Sequence, residues 1–276
     1  MLTLRRAAAS IALQAVLPIL GLGAACTGAR PAPPAAPLKP LRAATLDEVL
    51  AAYDAYCEEG KTLSASGDLD VRDRRTGKAR SLGVRLVATA DGRLYLKGTV
   101  AVVTAIEVVS NGERFWFQVP SKKTVWTGPA AAGARDAGTE DAPYQAIRPS
   151  DITSALLPRP LAPGGSDTVL LDGDRESFTL TVASPQGGRG VARRSVTLDR
   201  DTLRPRRLRR YDARGDLETD VTLSAWTDQP HTIEIRRPLD GYEASLRLGK
   251  VERNVPVPEQ AFVPRTPPAY TVVEVR

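Results

Sequence analysis

The chain is predicted to be mainly β: an incomplete, half-open antiparallel β-barrel of about ten to eleven strands, with an N-terminal helix and a short lid helix. Three observations predict it. Beyond Gly60 the apolar residues recur at every second position. Turn-forming pairs such as Asp91-Gly92, Asn111-Gly112, Asp172-Gly173 and Gly187-Gly188 punctuate these runs, at spacings of about eight to twelve residues. Only two segments carry a helical pattern.

The first is announced by Thr45-Leu46-Asp47-Glu48, a capping box in which the Thr45 hydroxyl accepts a first-turn N–H and Glu48 reaches back. Leu46, Val49, Leu50, Tyr53 and Cys57 then share one helical stripe, and Gly60 supplies the stop. On that stripe Cys57 reads as a small buried hydrophobe rather than a reactive thiol. The strands follow. Leu82, Val84 and Leu86 face one way, as do Phe115, Phe117 and Val119, and the style continues through Phe178, Leu180 and Val182 to Ala244, Leu246 and Leu248. Pro129 to Pro149 interrupts the pattern with Ala, Gly and acidic residues, a length of aperiodic chain that is usually functional or disordered. The second helix, Ser150 to Leu157, is stopped by Pro158 and Pro160. With this loop it reads as a mobile lid.

Composition narrows the function. With 42% hydrophobic residues the chain has ample material for a core. One histidine and two cysteines exclude a multi-histidine site, a four-ligand zinc site and a disulfide scaffold. No metal or cofactor is expected. His231 has no nucleophile in a recognisable partnership and no G-x-S-x-G elbow exists, so no enzyme is expected.

Residues 1–25 read as an export signal. Arg5 and Arg6 precede an apolar stretch, and Gly23-Ala24-Ala25 precedes Cys26. This is similar to the lipobox of bacterial lipoproteins, with Leu22 one place early. The resemblance implies cleavage before Cys26 and diacylglycerol on its sulfur. The alternative is an ordinary signal cleaved near Ala25. Residues 26–44, with prolines throughout, read as a stiff tether, and residues 45–276 as the folded domain. Thr27 after the cysteine, where aspartate would imply inner-membrane retention, implies the outer membrane, facing the periplasm. Export removes nucleic acid as the partner for the net charge of +6.

The lipoprotein-like signal, the amphipathic first helix, the opening strand Leu63-Ser64-Ala65-Ser66-Gly67-Asp68-Leu69 and the hairpin Ser110-Asn111-Gly112-Glu113-Arg114-Phe115-Trp116-Phe117 together resemble the LolA/LolB-like superfamily. The resemblance covers about residues 45–265. It implies a helix-lidded half-barrel enclosing a cavity for acyl chains. The alternation places Val84, Leu86, Leu96, Phe115, Phe117 and Leu180 on the cavity wall, with Ile152 and Leu156 from the lid helix. In the run Arg204 to Tyr211 neither strand face is apolar, so it is expected at an edge or rim. There Arg206 and Arg210 are either solvated or contact a lipid headgroup.

The expected function is a lipid-anchored periplasmic monomer that binds acyl chains of lipoproteins or lipids and delivers them to the outer membrane, with a periplasmic carrier or envelope complex as a possible partner. The alternative is a sensor or assembly subunit of the same fold that carries no lipid.

Overall fold

The computed structural model describes residues 41–134, 143–162 and 164–275. The export signal, Cys26 and most of the tether lie outside the described residues. A compact unit begins at Leu41.

Helix α1 (Leu46–Glu58) starts at the capping box: Glu48 N–H donates to the Thr45 hydroxyl (3.3 Å) and Thr45 N–H to the Glu48 carboxylate (2.7 Å). The helix is capped by Glu59 in a right-handed conformation, and Gly60 has no left-handed φ; what it provides is space. A Cβ there would lie 2.9 Å from Leu157 Cδ2. The chain then runs into a meander: β1 (Thr62–Asp73), β2 (Ala79–Thr89), β3 (Arg93–Val100), β4 (Val103–Asn111), β5 (Arg114–Val119) and β6 (Thr124–Pro129). Helix α2 (Pro149–Leu156) separates this from a second meander: β7 (Thr168–Gly173), β8 (Ser177–Gln186), β9 (Arg189–Asp199), β10 (Pro205–Tyr211), β11 (Leu217–Trp226), β12 (Pro230–Arg237) and β13 (Tyr242–Arg253). A last short strand, β14 (Thr271–Glu274), pairs parallel with β6.

The fourteen strands among the described residues form one sheet in the order β14-β6-β5-β4-β3-β2-β1-β13-β12-β11-β10-β9-β8-β7. It is an open sheet with free edges at β14 and β7, mainly antiparallel as expected and with more strands than the ten to eleven read from sequence. β14 left no readable signal, because four residues after a proline-rich tail carry no alternation long enough to recognise. The turn expected at Asp172-Gly173 falls later. Gly173 ends β7, and the Asp174 carboxylate makes the bend by accepting the N–H groups of Glu176 (2.8 Å) and Ser177 (2.7 Å).

The two meanders are joined by the β1–β13 pairing. It carries a bulge between Ser66 and Gly67, where the backbones approach so closely that a Cβ on Gly67 would lie 1.9 Å from the Arg247 carbonyl oxygen. Only glycine fits this strand crossing.

The inner face buries two clusters. The larger joins β1–β5 and β11–β13 to Ile152, Ala155 and Leu156 of α2. Within it Phe117 meets Trp126 edge-on (centroids 6.1 Å) and stacks on Tyr144 (6.2 Å). The smaller packs Val49, Tyr53 and Cys57 of α1 on Phe178, Leu180, Val182, Val196 and Leu198. Burial pushes the Cys57 thiol up to about 11, against a lowering by the neighbouring Tyr53 side chain, in keeping with an inert core residue. Leu208 of β10 packs against both clusters.

Phe117 is fully buried among aromatic neighbours. Phe117→Ala is expected to cost about 3–5 kcal/mol in chemical denaturation. A loss below about 1 kcal/mol would identify Phe117 as a wall of empty space rather than a packed core.

Candidate functional site

The second helix is held down by charge. Asp151, in its first turn, is 1% exposed, and its carboxylate accepts hydrogen bonds from Arg237 of β12 (3.2 and 3.3 Å) and Arg210 of β10 (3.1 Å). Arg237 is 5% exposed and spreads its guanidinium over three carboxylates: Nε to Asp240 (2.5 Å), Nη1 to Asp151 and Nη2 to Glu218 (3.1 Å). Nη1 also donates to the Thr219 hydroxyl (3.0 Å). Arg210 Nε donates to Glu218 (2.9 Å), and Arg148, just before α2, donates to Asp240 (3.2 Å) and to the Ala131 carbonyl (2.7 Å). Three arginines thus face three carboxylates. Burial alone would raise the Glu218 carboxyl, but hydrogen bonds and charge from Arg210 and Arg237 outweigh it and hold the carboxyl below its ordinary value. Asp240 is lowered in the same way, with burial opposed by Arg237 and Arg148.

Between the two helices lies a cleft of about 510 Å³, within the usual range for small-molecule sites. Its apolar lining includes Tyr53, Leu157, Pro158, Val196, Leu208 and Val221. Hairpin residues Ala90, Gly92 and Gly112, together with Ala130 and Ala131 after β6, form part of its mouth. Four arginines also line it, Arg159, Arg194, Arg209 and Arg210, against one acidic residue among the described lining, the exposed Glu113. Arg210 is committed to Asp151 and Glu218, and Arg209 to Asp220 (3.5 Å). Arg194 donates to the carbonyls of Pro160 (3.2 Å) and Arg159 (2.9 Å), and the Tyr53 hydroxyl donates to the same Arg159 carbonyl (3.2 Å). Arg159 donates to the Asp91 carbonyl (3.3 Å).

Two solved structures share this architecture. A LolA superfamily protein from Nitrosomonas europaea superposes with a TM-score of 0.50 at 11% identity, covering 80% of this chain and 99% of its own. A DUF1329 family protein from Desulfovibrio piger gives 0.51 at 16% identity, covering 77% and 94%. The fold is LolA-like. No family model matches the chain, and no curated protein matches it.

On this LolA-like sheet Val84, Leu86, Leu96, Phe115 and Phe117 come together with Ile152 and Leu156 in the larger cluster, while Leu180 lies in the smaller one under α1. None of the eight lines the cleft. Arg210 does. Arg206 is paired with Asp199 (3.1 Å) and lies outside the cleft lining. The expectation that Arg204 to Tyr211 forms an edge or rim is corrected: β10 is interior, hydrogen-bonded to β9 and β11 on its two sides. Asp151, Asp199, Glu218 and Asp220 supply the counter-charges that make this possible. Glu218 and Asp220, an alternate carboxylate pair in sequence, are therefore engaged by arginines. His231 is bridged to the Leu248 carbonyl (2.9 Å) and the Thr227 hydroxyl (3.1 Å). The cleft arginines Arg159 and Arg194 and the Asp151–Arg237 pair were not singled out by sequence. The available signal was Asp151 on the otherwise buried face of a short helix.

Asp151→Asn leaves two arginines facing a neutral amide, one of them buried. It is expected to destabilise the fold by about 3–5 kcal/mol and to speed amide exchange in α2 before exchange in β5. Equal protection in variant and parent would show that these pairs do not hold the helix.

The lowered Glu218 and Asp240 carboxyls set the sign of the acid response. Their stabilisation is complete above their ordinary values, 4.5 and 3.8, and is lost as pH falls through the lower folded values. Amide exchange followed by pH titration should therefore show α2 loosening in acid, with no comparable change between neutral pH and pH 5.

Proposed function

We propose that this protein is a non-enzymatic, lipid-anchored periplasmic lipid binder that takes up acyl chains and passes them to the outer membrane. The observation that carries the reading is the cleft between the helices, apolar along its walls and open at the hairpin mouth. The LolA-like fold supports it, since the sorting of lipoproteins is what that superfamily's name implies. Cys26 is the anchor and residues 27–44 the tether, so that residues 45–276 work at a distance from the bilayer.

In this reading α2 is a lid, with Asp151 as its latch. Its Ile152 and Leu156 cover the larger cluster. Lifting the helix would offer Val84, Leu86, Leu96, Phe115 and Phe117 to a chain that enters through the cleft, while Leu180 supports α1 from below. Contact with a membrane has a separate candidate. The β3–β4 turn carries Val100, Val102 and Val103, all exposed, with Val102 95% exposed. It sits at the opposite end of the strands from the cleft hairpins, so membrane contact leaves the cleft open to the periplasm or to a carrier.

Extraction of the full chain purified from membranes, followed by mass spectrometry, is expected to yield a bound acyl lipid in stoichiometric amount, and Cys26→Ala to release the protein into the soluble envelope fraction with its melting temperature intact. A lipid-free protein would favour the sensor or assembly-subunit reading of the same fold. A Cys26→Ala variant that remains on the membrane would remove Cys26 as the anchor.

A further inference from the structure

The geometry points to an amphiphile with one acyl chain and an anionic head group as the occupant of the cleft, its head held by Arg194 and Arg159. This inference rests on the lipid-binding reading of the same cleft and adds the class of ligand.

The argument begins with unequal treatment of the arginines. Arg148, Arg210 and Arg237 are balanced by Asp151, Glu218 and Asp240, and Arg207 and Arg209 by Asp220. Arg194 and Arg159 differ. Both line the cleft, and their hydrogen-bond partners are main-chain carbonyls; among the described residues neither has a carboxylate within ion-pair distance. The Asp91 carboxylate, on the turn that Arg159 touches, is already taken by Arg93 (2.9 Å) and by the Thr89 hydroxyl. Glu113 is exposed at the mouth, where water screens it.

A guanidinium carries five N–H donors. Arg194 spends one from each terminal nitrogen on the Pro160 and Arg159 carbonyls, and Arg159 spends one on Asp91. The two bonds hold Arg194 in place without neutralising it, the exposed Arg159 has the one, and on both side chains donors remain for a carboxylate or phosphate. Because Arg194 is already tied to two carbonyls, that side chain has little rotamer freedom left to lose on binding. Arg194 is half-buried, so its charge is only partly screened.

The rest of the cleft suits a chain. Val196, Leu208 and Val221 line one wall, and Leu157 and Tyr53 also face the space. The cleft's volume, about 510 Å³, is that of a site for one small ligand, and a single acyl chain is of that size. The anionic head could be a carboxylate or a phosphate monoester, and the geometry serves both.

Calorimetric titration of the full chain, below micelle-forming concentrations, with laurate, lauryl phosphate and the neutral glycerol ester monolaurin tests this. Laurate or lauryl phosphate is expected to bind about tenfold or more tightly than monolaurin, the ratio expected of one charge-assisted hydrogen bond. The stronger of the two identifies the head-group chemistry. Arg194→Gln and Arg159→Gln should each move that ratio toward one, and raising the salt should narrow it in the parent. Should Arg194→Gln melt early, because that side chain also ties down the Pro160 loop, the exposed Arg159→Gln and the charge-retaining Arg194→Lys carry the test. Equal affinity for all three probes, or a ratio unmoved by Arg159→Gln, would overturn the head-group assignment and leave the lipid-binding reading in place. No binding by any probe would overturn both.

Discussion

One large apolar surface governs this molecule. Fourteen strands in a single sheet present an inner face far wider than a thirteen-residue helix and an eight-residue helix can cover together. The hydrophobic effect drives that face out of water, so the sheet must curl around whatever cover it has. The two helices divide the work. α1 takes β8 and β9, and α2 takes β2 to β4 of the first meander and β12. Leu208 borders both clusters, and the cleft opens beside it. The site is the gap left by a covering problem with two partial solutions.

The shorter helix solves its part with ions as well as apolar contacts. Eight residues cannot bury enough surface to be stable alone. Asp151 compensates by projecting a carboxylate into the sheet, where Arg237 and Arg210 meet it. Burying these groups is costly in itself, and the equal count of charges keeps the cost from being prohibitive. The same network explains β10. A strand with four arginines can sit inside a sheet because its neighbours β9 and β11 bring Asp199, Glu218 and Asp220 into register.

That distinction separates what could be read from sequence from what could not. Period-two alternation is local, so the antiparallel strands, α1 with its capping box and α2 were legible. The burial of Phe115, Phe117 and Ile152 was legible too, since apolar periodicity reports which face turns inward. It does not report whether that face meets a partner or a void, and the cleft lies elsewhere. Partnerships across sequence were not legible. Arg237 meets Asp151 over a separation of 86 residues, and nothing local in either stretch announces the other. The Arg204 to Tyr211 run looked like an edge because its counter-charges belong to neighbouring strands. Arg194 carries no local signal for the complementary reason: its significance is the carboxylate it lacks.

The β1–β13 seam bears on how the chain reaches this structure. Every other antiparallel pairing joins strands adjacent in sequence, so each hairpin can form soon after its residues are made. β1 is different. Its second partner begins at Tyr242, most of the chain away. Until that strand arrives, the first meander carries β1 as an unpaired edge, twelve residues long, beside an inner face that α2 alone can cover. Gly67 makes the final zipping exacting, because its bulge must meet the Arg247 carbonyl in one register. The slow, aggregation-exposed interval in the life of this protein is therefore the wait between its first strand and its thirteenth.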